Sequence, residues 1–301
     1  MDKIWLKSYP EGVPAEVSEP PWRSVRDLVE HSFATHPERA AYTNMGTTLT
    51  YADLDRLSMQ FACYLQQELG LTRGERVAIM LPNVLQYPVV MCGIFRAGLV
   101  VVNVNPLYTA RELKHQLNDS GARGIIILEN FAHILQEVID DTSVEHVVTT
   151  GLGDLLSFPR STLTNLVMRH VKKAVPSYSI AKSVPIRKAL KLGAQHTLKP
   201  VELGYADIAY LQYTGGTTGI PKAAMLSHGN IIANTLQAHS CITHAFELRN
   251  PHVITALPLY HIFALTANCF VVARLAGCSH LITNPRDMNS FISELKKTRA
   301  H

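Results

Sequence analysis

The stretch Tyr213-Thr-Gly-Gly-Thr-Thr-Gly-Ile-Pro-Lys222 gathers the groups that bind a multiply charged anion. Gly215, Gly216 and Gly219 let backbone N–H groups converge on oxyanions in conformations that a side chain would forbid. Thr214, Thr217 and Thr218 add hydroxyl donors, and Lys222 adds a full positive charge. Such a donor set suits the polyphosphate of a nucleotide. The spacing is not that of the Walker loop, because Pro221 separates the glycines from Lys222 and Ala223 follows the lysine. Apolar runs on both sides predict that the loop, within 208–228, joins two strands rather than opening a helix. The plain alternative is a flexible surface turn, where Gly and Thr are also common.

A second polar pair, Tyr260-His261, interrupts the apolar run Leu257-Pro-Leu-Tyr-His-Ile-Phe263. The residues alone leave two readings open: a satisfied core histidine, or a side chain that lines a substrate site with Ile262 and Phe263 as its apolar wall. His228 and Asn230, in Ser227-His-Gly-Asn230, are explained by capping of a helix that begins at Asn230, and carry no assigned chemistry.

These segments need a scaffold, and the rest of the chain supplies one. Ser24 with Asp27, and Thr50 with Asp53, have the spacing of a capping box, so two helices start there. In the second, Leu54, Leu57, Phe61, Tyr64 and Leu65 recur at helical spacing, and Gly70 with Gly74 stops it before the buried strand Val77-Ala-Ile-Met-Leu81. Residues 83–98 read as helix and Val100-Val-Val-Asn-Val104 as strand. Residues 109–120 read as a helix opened by Thr109 and Glu112, and Gly124-Ile-Ile-Ile-Leu128 as a further strand. Helices alternating with short β-branched runs predict an α/β fold with a mostly parallel sheet covered on both faces. No internal repeat is visible.

The chain has 301 residues, 47% apolar and 17% charged, which excludes wholesale disorder. A net charge of +4 is too small to make nucleic acid the default partner. Cys63, Cys92, Cys241, Cys269 and Cys278 form no CxxC pair and no zinc-type spacing, so a reduced, cytoplasmic protein is expected and no metal ligand is assigned. Neither a secretory leader nor a membrane span is expected: Arg96 breaks one apolar run, and Thr266 and Asn268 break the other. Residues 160–200 differ from the rest. They hold nine Lys and Arg with no Asp or Glu, so the remainder is net acidic. This stretch reads as a solvated insert or crossover, or as a surface for anionic headgroups in which 163–175 forms an interfacial amphipathic helix.

The loop 213–222 resembles the signature of the adenylate-forming superfamily, which includes acyl-CoA synthetases, luciferases and peptide-synthetase adenylation domains. Leu49-Thr-Tyr-Ala-Asp-Leu54, Gly74-Glu-Arg-Val-Ala78, Arg96-Ala-Gly98 and Asp119-Ser-Gly121 fall in that superfamily's order. Asn103-Val-Asn-Pro-Leu-Tyr108, Gln116-Leu-Asn-Asp-Ser-Gly121, Gly216 and Leu257-Pro-Leu-Tyr-His-Ile-Phe-Ala-Leu265 resemble the bacterial long-chain fatty-acid–CoA ligases in detail. Ala223 departs from the usual glycine without removing a phosphate donor.

The resemblance implies a large N-terminal AMP-binding domain with layered, mostly parallel sheets flanked by helices. It also implies a two-step reaction with ATP, Mg²⁺ and coenzyme A. A fatty-acid carboxylate attacks the α-phosphate of ATP to give acyl-AMP and pyrophosphate, and the thiol of coenzyme A then displaces AMP. By motif position Tyr213, Thr214, Gly215, Gly216, Thr217, Thr218, Gly219 and Lys222 bind the triphosphate, with Thr214, Lys222 and His261 closest to the chemistry. Tyr260, His261, Ile262 and Phe263 line the acyl site, so for His261 the substrate role becomes the stronger reading. The likeness covers the first half to three fifths of such a ligase, an incomplete domain over 1–301 without the small C-terminal lid. The chain alone is therefore expected to be catalytically incomplete. The final helix, from Met288 with Phe291, Ile292 and Leu295 on one side, is expected to want a partner. Homodimerisation and peripheral contact with the cytoplasmic face of the inner membrane through 160–200 complete the expectations. The alternatives are a non-catalytic nucleotide- or acyl-binding module, half of a split enzyme, or a CoA ligase for another carboxylate.

Overall fold

The computed structural model describes residues 2–17, 20–214, 221–245, 250–298 and 300. Helix α1 (Val25–Thr35) is followed by β1 (Ala40–Asn44), β2 (Thr47–Thr50), α2 (Tyr51–Cys63), β3 (Arg76–Met80), α3 (Gln86–Arg96), β4 (Val100–Asn103), α4 (Ala110–Ser120) and β5 (Ala122–Leu128). Next come α5 (Ala132–Gln136), β6 (His146–Thr150), α6 (Arg160–Leu166), β7 (Val184–Pro185) and α7 (Ile186–Gly193). The remainder holds β8 (Ile208–Thr214), β9 (Lys222–Ser227), α8 (His228–Ala245), β10 (His252–Thr255), α9 (Ile262–Leu265), α10 (Val272–Arg274), β11 (Cys278–Leu281) and α11 (Met288–Lys297).

Among the described residues the strands form two sheets. The larger is ordered β7-β6-β5-β3-β4-β8-β9 and is parallel except for the antiparallel pair β8 and β9. The smaller is ordered β10-β11-β1-β2, with β11 parallel to both of its neighbours. Side chains of a strand alternate between faces, and the large sheet is apolar on both. Val77, Ile79, Val101 and Ile126 enter one core together with α1, α2 and α3, while Ala78, Met80, Val102, Ile125 and Ile127 enter a second beneath α4 and α5.

Three helix starts form the reciprocal capping boxes that their spacing predicts: Ser24 with Asp27, Thr50 with Asp53, and Thr109 with Glu112. Helix α3 is buried along its whole length and ends in Arg96, 3% exposed. The Arg96 guanidinium donates to Glu30 at 2.9 Å and to the Asp55 carbonyl at 2.6 Å, pairs with the Asp55 carboxylate, and lies 5.1 Å from the centre of the Phe33 ring. One buried cation thus fastens α3 to α1 and α2. Residues 160–200 are threaded into the fold on the way from β6 to β8. Strand β7 extends the large sheet beside β6, and α7 packs on α2 so closely that a Cβ on Gly193 would stand 1.8 Å from the Gln60 carbonyl oxygen. Among the described residues no helix is long and apolar enough to cross a membrane.

Helix α8 begins at His228, two residues before the position that the sequence suggests. Ser227 donates from its backbone N–H and its hydroxyl to Asn230 Oδ1, each at 3.0 Å. The His228 ring is buried. Its Nδ1 accepts the Val25 N–H at 3.2 Å and its edge meets Phe95, so it joins α8 to the start of α1. Burial pushes its pKa down to about 4. On unfolding the imidazole returns to the ordinary range near 6.5, so between those values the unfolded chain binds the extra proton and stability falls as pH falls. Between pH 7 and pH 5 this group contributes a loss of about 2 kcal/mol. In urea titrations at the two pH values, His228→Asn is expected to lose stability by that much less than the parent; an equal loss would contradict the assignment.

Candidate functional site

The antiparallel pair β8 and β9 ends with Thr214 opposite Lys222, and both side chains are exposed. The chain that connects them includes Gly215, Gly216, Thr217, Thr218 and Gly219, which lie outside the described residues. What the structure places is the frame of that loop: two paired strands, a hydroxyl on one rim and an ammonium on the other. Residues directly opposite in an antiparallel pair share a face, as do residues two apart in a strand. Gln212, Thr214 and Lys222 therefore share one face of the hairpin, and Tyr213 lies on the other.

Helix α4 grips the hairpin beside its loop from that other face. The buried Tyr213 hydroxyl donates to the Asp119 carboxylate, and His115 Nε2 donates to the Pro221 carbonyl at 3.2 Å. His115 and Asp119 are four residues apart on α4, so one helix face meets both ends of the loop. Burial, and then the bond to Asp119, hold the Tyr213 phenol above its ordinary range. Its hydroxyl is engaged with α4, which makes Tyr213 an anchor of the loop.

On the face that carries Thr214 and Lys222, Gln212 Nε2 donates to the Tyr260 carbonyl at 3.0 Å. This bond brings together the two constellations that the sequence presents separately. Behind Gln212 runs a buried polar chain. Asn103 Nδ2 donates to Gln212 Oε1 at 2.9 Å, and the Tyr87 hydroxyl stands 2.7 Å from Asn103 Oδ1 and 3.0 Å from the Leu259 carbonyl. Asn83 Nδ2 donates to the carbonyls of Thr255 and Leu257, while Asn83 Oδ1 accepts the Leu259 N–H, each at 2.9 Å. The backbone of 255–260 is thus carried from the small sheet to the edge of β8 by side-chain amides.

The same geometry counts against the core reading of His261. It is exposed, not buried in the core; its N–H closes a turn on the Pro258 carbonyl at 3.0 Å, and its ring centre lies 5.6 Å from that of Tyr260. Ile262 and Tyr260 are half-buried and Phe263 is 70% exposed, so these side chains form an open apolar face rather than an enclosed tunnel. Two clefts of about 260 and 280 Å³ lie elsewhere, one over α2 at Asp55 and Met59 and one at Val13 and Cys241, and neither contains a residue of this face. The positioning residues Asn83, Asn103 and Gln212 were hidden from sequence reasoning, although Asn103 carries a visible signal as the one polar residue of an apolar strand.

The described residues thus combine a hairpin that frames the loop, an adjoining Tyr-His segment and a two-sheet α/β scaffold. The profile of the AMP-binding enzyme family matches residues 29–301, and the chain belongs to that family. It is 49% identical over 99% of its length to a long-chain-fatty-acid–CoA ligase of Escherichia coli O157:H7, and 34% identical over 88% to one of Bacillus subtilis. The chain spans about half the length of these relatives, 53% and 47%. Among solved structures it resembles an anthranilate CoA ligase in complex with anthranoyl-AMP, with a TM-score of 0.77 and 17% identity over 94% of this chain and 49% of that one. It also resembles a long-chain-fatty-acid-CoA ligase of Archaeoglobus fulgidus, with a TM-score of 0.73 and 22% identity over 96% of this chain and 52% of that one. At such identities the likeness establishes the fold: layered, mostly parallel sheets flanked by helices, about half of each of those chains.

Proposed function

We propose that the chain is the phosphate- and acyl-binding portion of a long-chain fatty-acid–CoA ligase. The observation that carries this reading is the Gln212–Tyr260 bond, which sets an acyl-side segment against the strand that ends in Thr214. In the proposed reaction the fatty-acid carboxylate attacks the α-phosphate of ATP, the α–β phosphoanhydride bond breaks, and pyrophosphate leaves. The sulfur of coenzyme A then attacks the acyl carbon, loses its proton, and displaces AMP. A carboxylate is already a competent nucleophile, so positioning and charge compensation are the tasks left to the protein. Lys222 compensates phosphate charge, Thr214 donates a hydroxyl, and Tyr260, His261, Ile262 and Phe263 receive the acyl group. Asp119 is committed to Tyr213, so the rim of the loop offers a hydroxyl and an ammonium, and Mg²⁺ enters as part of the ATP substrate.

ATP binding by the purified chain, followed by calorimetry, is the direct test. Lys222→Ala is expected to weaken ATP at least tenfold, about 1.4 kcal/mol, with an unchanged circular dichroism spectrum. Equal affinities, or no affinity in either protein, would contradict the reading. A non-hydrolysable long-chain acyl-adenylate is expected to bind more tightly than its benzoyl counterpart, and the reverse order would support a ligase for aromatic acids.

A second reading concerns where the protein works: peripheral contact with anionic membrane through the start of 160–200. Its support is an apolar surface around α6, where Phe158 is 86% and Val171 74% exposed, with Leu163 and Leu166 also exposed. Lys172 and Lys173 stand beside it, exposed and in no ion pair among the described residues, whereas Arg160, Arg169 and Arg187 are held by Gly46, Glu129 and Asp154. Each basic residue near an anionic surface contributes on the order of 1 kcal/mol. Replacing both Lys172 and Lys173 by Gln is expected to weaken sedimentation with phosphatidylglycerol vesicles roughly tenfold or more at low salt. Binding indifferent to salt and to this substitution would exclude the electrostatic basis of the contact.

A further inference from the structure

Strands β10 and β11 are parallel, with His252 opposite Cys278 and Ile254 opposite His280. Cys278 and His280, two residues apart, project from the same face of the sheet, and His252 projects from that face beside them. Ser279, between them, points the other way and donates to the Asn268 carbonyl. The result is a compact set of metal-ligating atoms. His252 Nδ1 and His280 Nε2 are 2.9 Å apart, and the three side chains each offer one ligand atom, a ring nitrogen or the Cys278 sulfur, within 4.8 Å of the other two.

We propose that His252, Cys278 and His280 bind a divalent transition-metal ion of the Zn²⁺ class. Zinc takes imidazole nitrogen at about 2.0–2.1 Å and thiolate sulfur at about 2.3 Å, which puts tetrahedral ligand atoms roughly 3.3–3.8 Å apart. Side-chain rotation that opens the two nitrogens by a few tenths of an ångström and closes the remaining separations by up to about 1 Å brings the set to that spacing. Two imidazoles and one sulfur select zinc, cobalt or copper over magnesium and calcium, which take oxygen ligands. Both histidines are half-buried and so reachable from solvent, while the thiol is buried. On binding, the Cys278 thiol gives up its proton to solvent, the imidazole that donates in the His252–His280 bond moves its proton to its other ring nitrogen through solvent, and the sulfur and one nitrogen of each ring donate electron pairs to the metal.

The three ligands supply one fewer than a closed structural site uses, which leaves a fourth position for water or an added group. The ion would cross-link β10 to β11 immediately before the segment 255–260 that carries Tyr260, so its occupancy is expected to stiffen the approach to the acyl face. The site is separate from the loop frame at Thr214 and Lys222, and stands or falls independently of the ligase reading.

The test is titration of the reduced chain with Co²⁺, watching the near-ultraviolet thiolate-to-cobalt absorption band. One equivalent is expected to produce the band, Cys278→Ser to abolish it, and Zn²⁺ to displace it. His280→Asn and His252→Asn, at half-buried positions, are each expected to weaken Co²⁺ at least tenfold. Cys241→Ser, which removes the exposed thiol, is expected to leave the band unchanged. Absence of the band in the folded parent, a band that follows Cys241, or unaltered affinity in both histidine variants would each overturn the proposal. Should Cys278→Ser fail to fold, the histidine variants still decide it.

Discussion

The backbone between β10 and α9 crosses from one sheet to the other partly buried, with Leu259 enclosed and Leu257 and His261 exposed, and a buried peptide group without a partner costs about as much as a lost hydrogen bond. Beyond Thr255, whose carbonyl also accepts the Ile282 N–H at 3.0 Å, no strand pairs with this segment among the described residues. Side-chain amides do so instead: Asn83 serves three peptide groups of 255–259, the Tyr87 hydroxyl approaches a fourth, and Gln212 serves Tyr260. The placement of Tyr260 and His261 beside the end of β8 follows from this arrangement. Because Asn103 donates to Gln212, the central strand β4 is tied into the same chain, and Gln116 of α4 donates to the Asn103 carbonyl at 2.7 Å.

The loop frame is held from both sides of the hairpin by groups that belong to this system. On one face Gln212 fixes the strand that ends in Thr214, and on the other α4 holds Tyr213 and Pro221 through Asp119 and His115. Helix α4 is in turn set by its capping box at Thr109 and by Leu113 and Leu117, which pack with Tyr213 in the second core. A glycine-rich sequence between two strands has much backbone entropy, and held ends limit the freedom of what they connect. Arg96 and His228 play the corresponding part farther back, fastening α3 and α8 to the N-terminal helices.

Much of this was legible in the sequence, and the rest was hidden for physical reasons. Capping boxes and β-branched runs are local patterns, so the helices after Ser24, Thr50 and Thr109 and the strands β3, β4 and β5 could be read from a few residues each. The small sheet could not. Its strands are short and partly polar, and the pairing of Tyr42 with Ser279 links segments that no local pattern connects. The helix expected to start at Asn230 starts at His228 because Ser227, not Asn230, is the capping residue. The hairpin rim at Thr214 and Lys222 was visible as a motif, whereas the amides that bring Tyr260 to it are scattered over Asn83, Asn103 and Gln212, and only folding makes them neighbours.

The central claim is that the amide chain, rather than packing alone, holds Tyr260 and His261 beside the hairpin. Hydrogen exchange of the Leu259 and His261 amides in Gln212→Leu tests it most directly, because leucine preserves much of the volume and leaves the Tyr260 carbonyl and the Asn103 amide without a partner. Loss of a buried partner costs about 1–3 kcal/mol. Exchange at Leu259 and His261 is expected to accelerate at least fivefold, with the amides of β3 and β5 unchanged. Unchanged exchange at Leu259 and His261 would contradict the account and assign the placement of the segment to apolar packing.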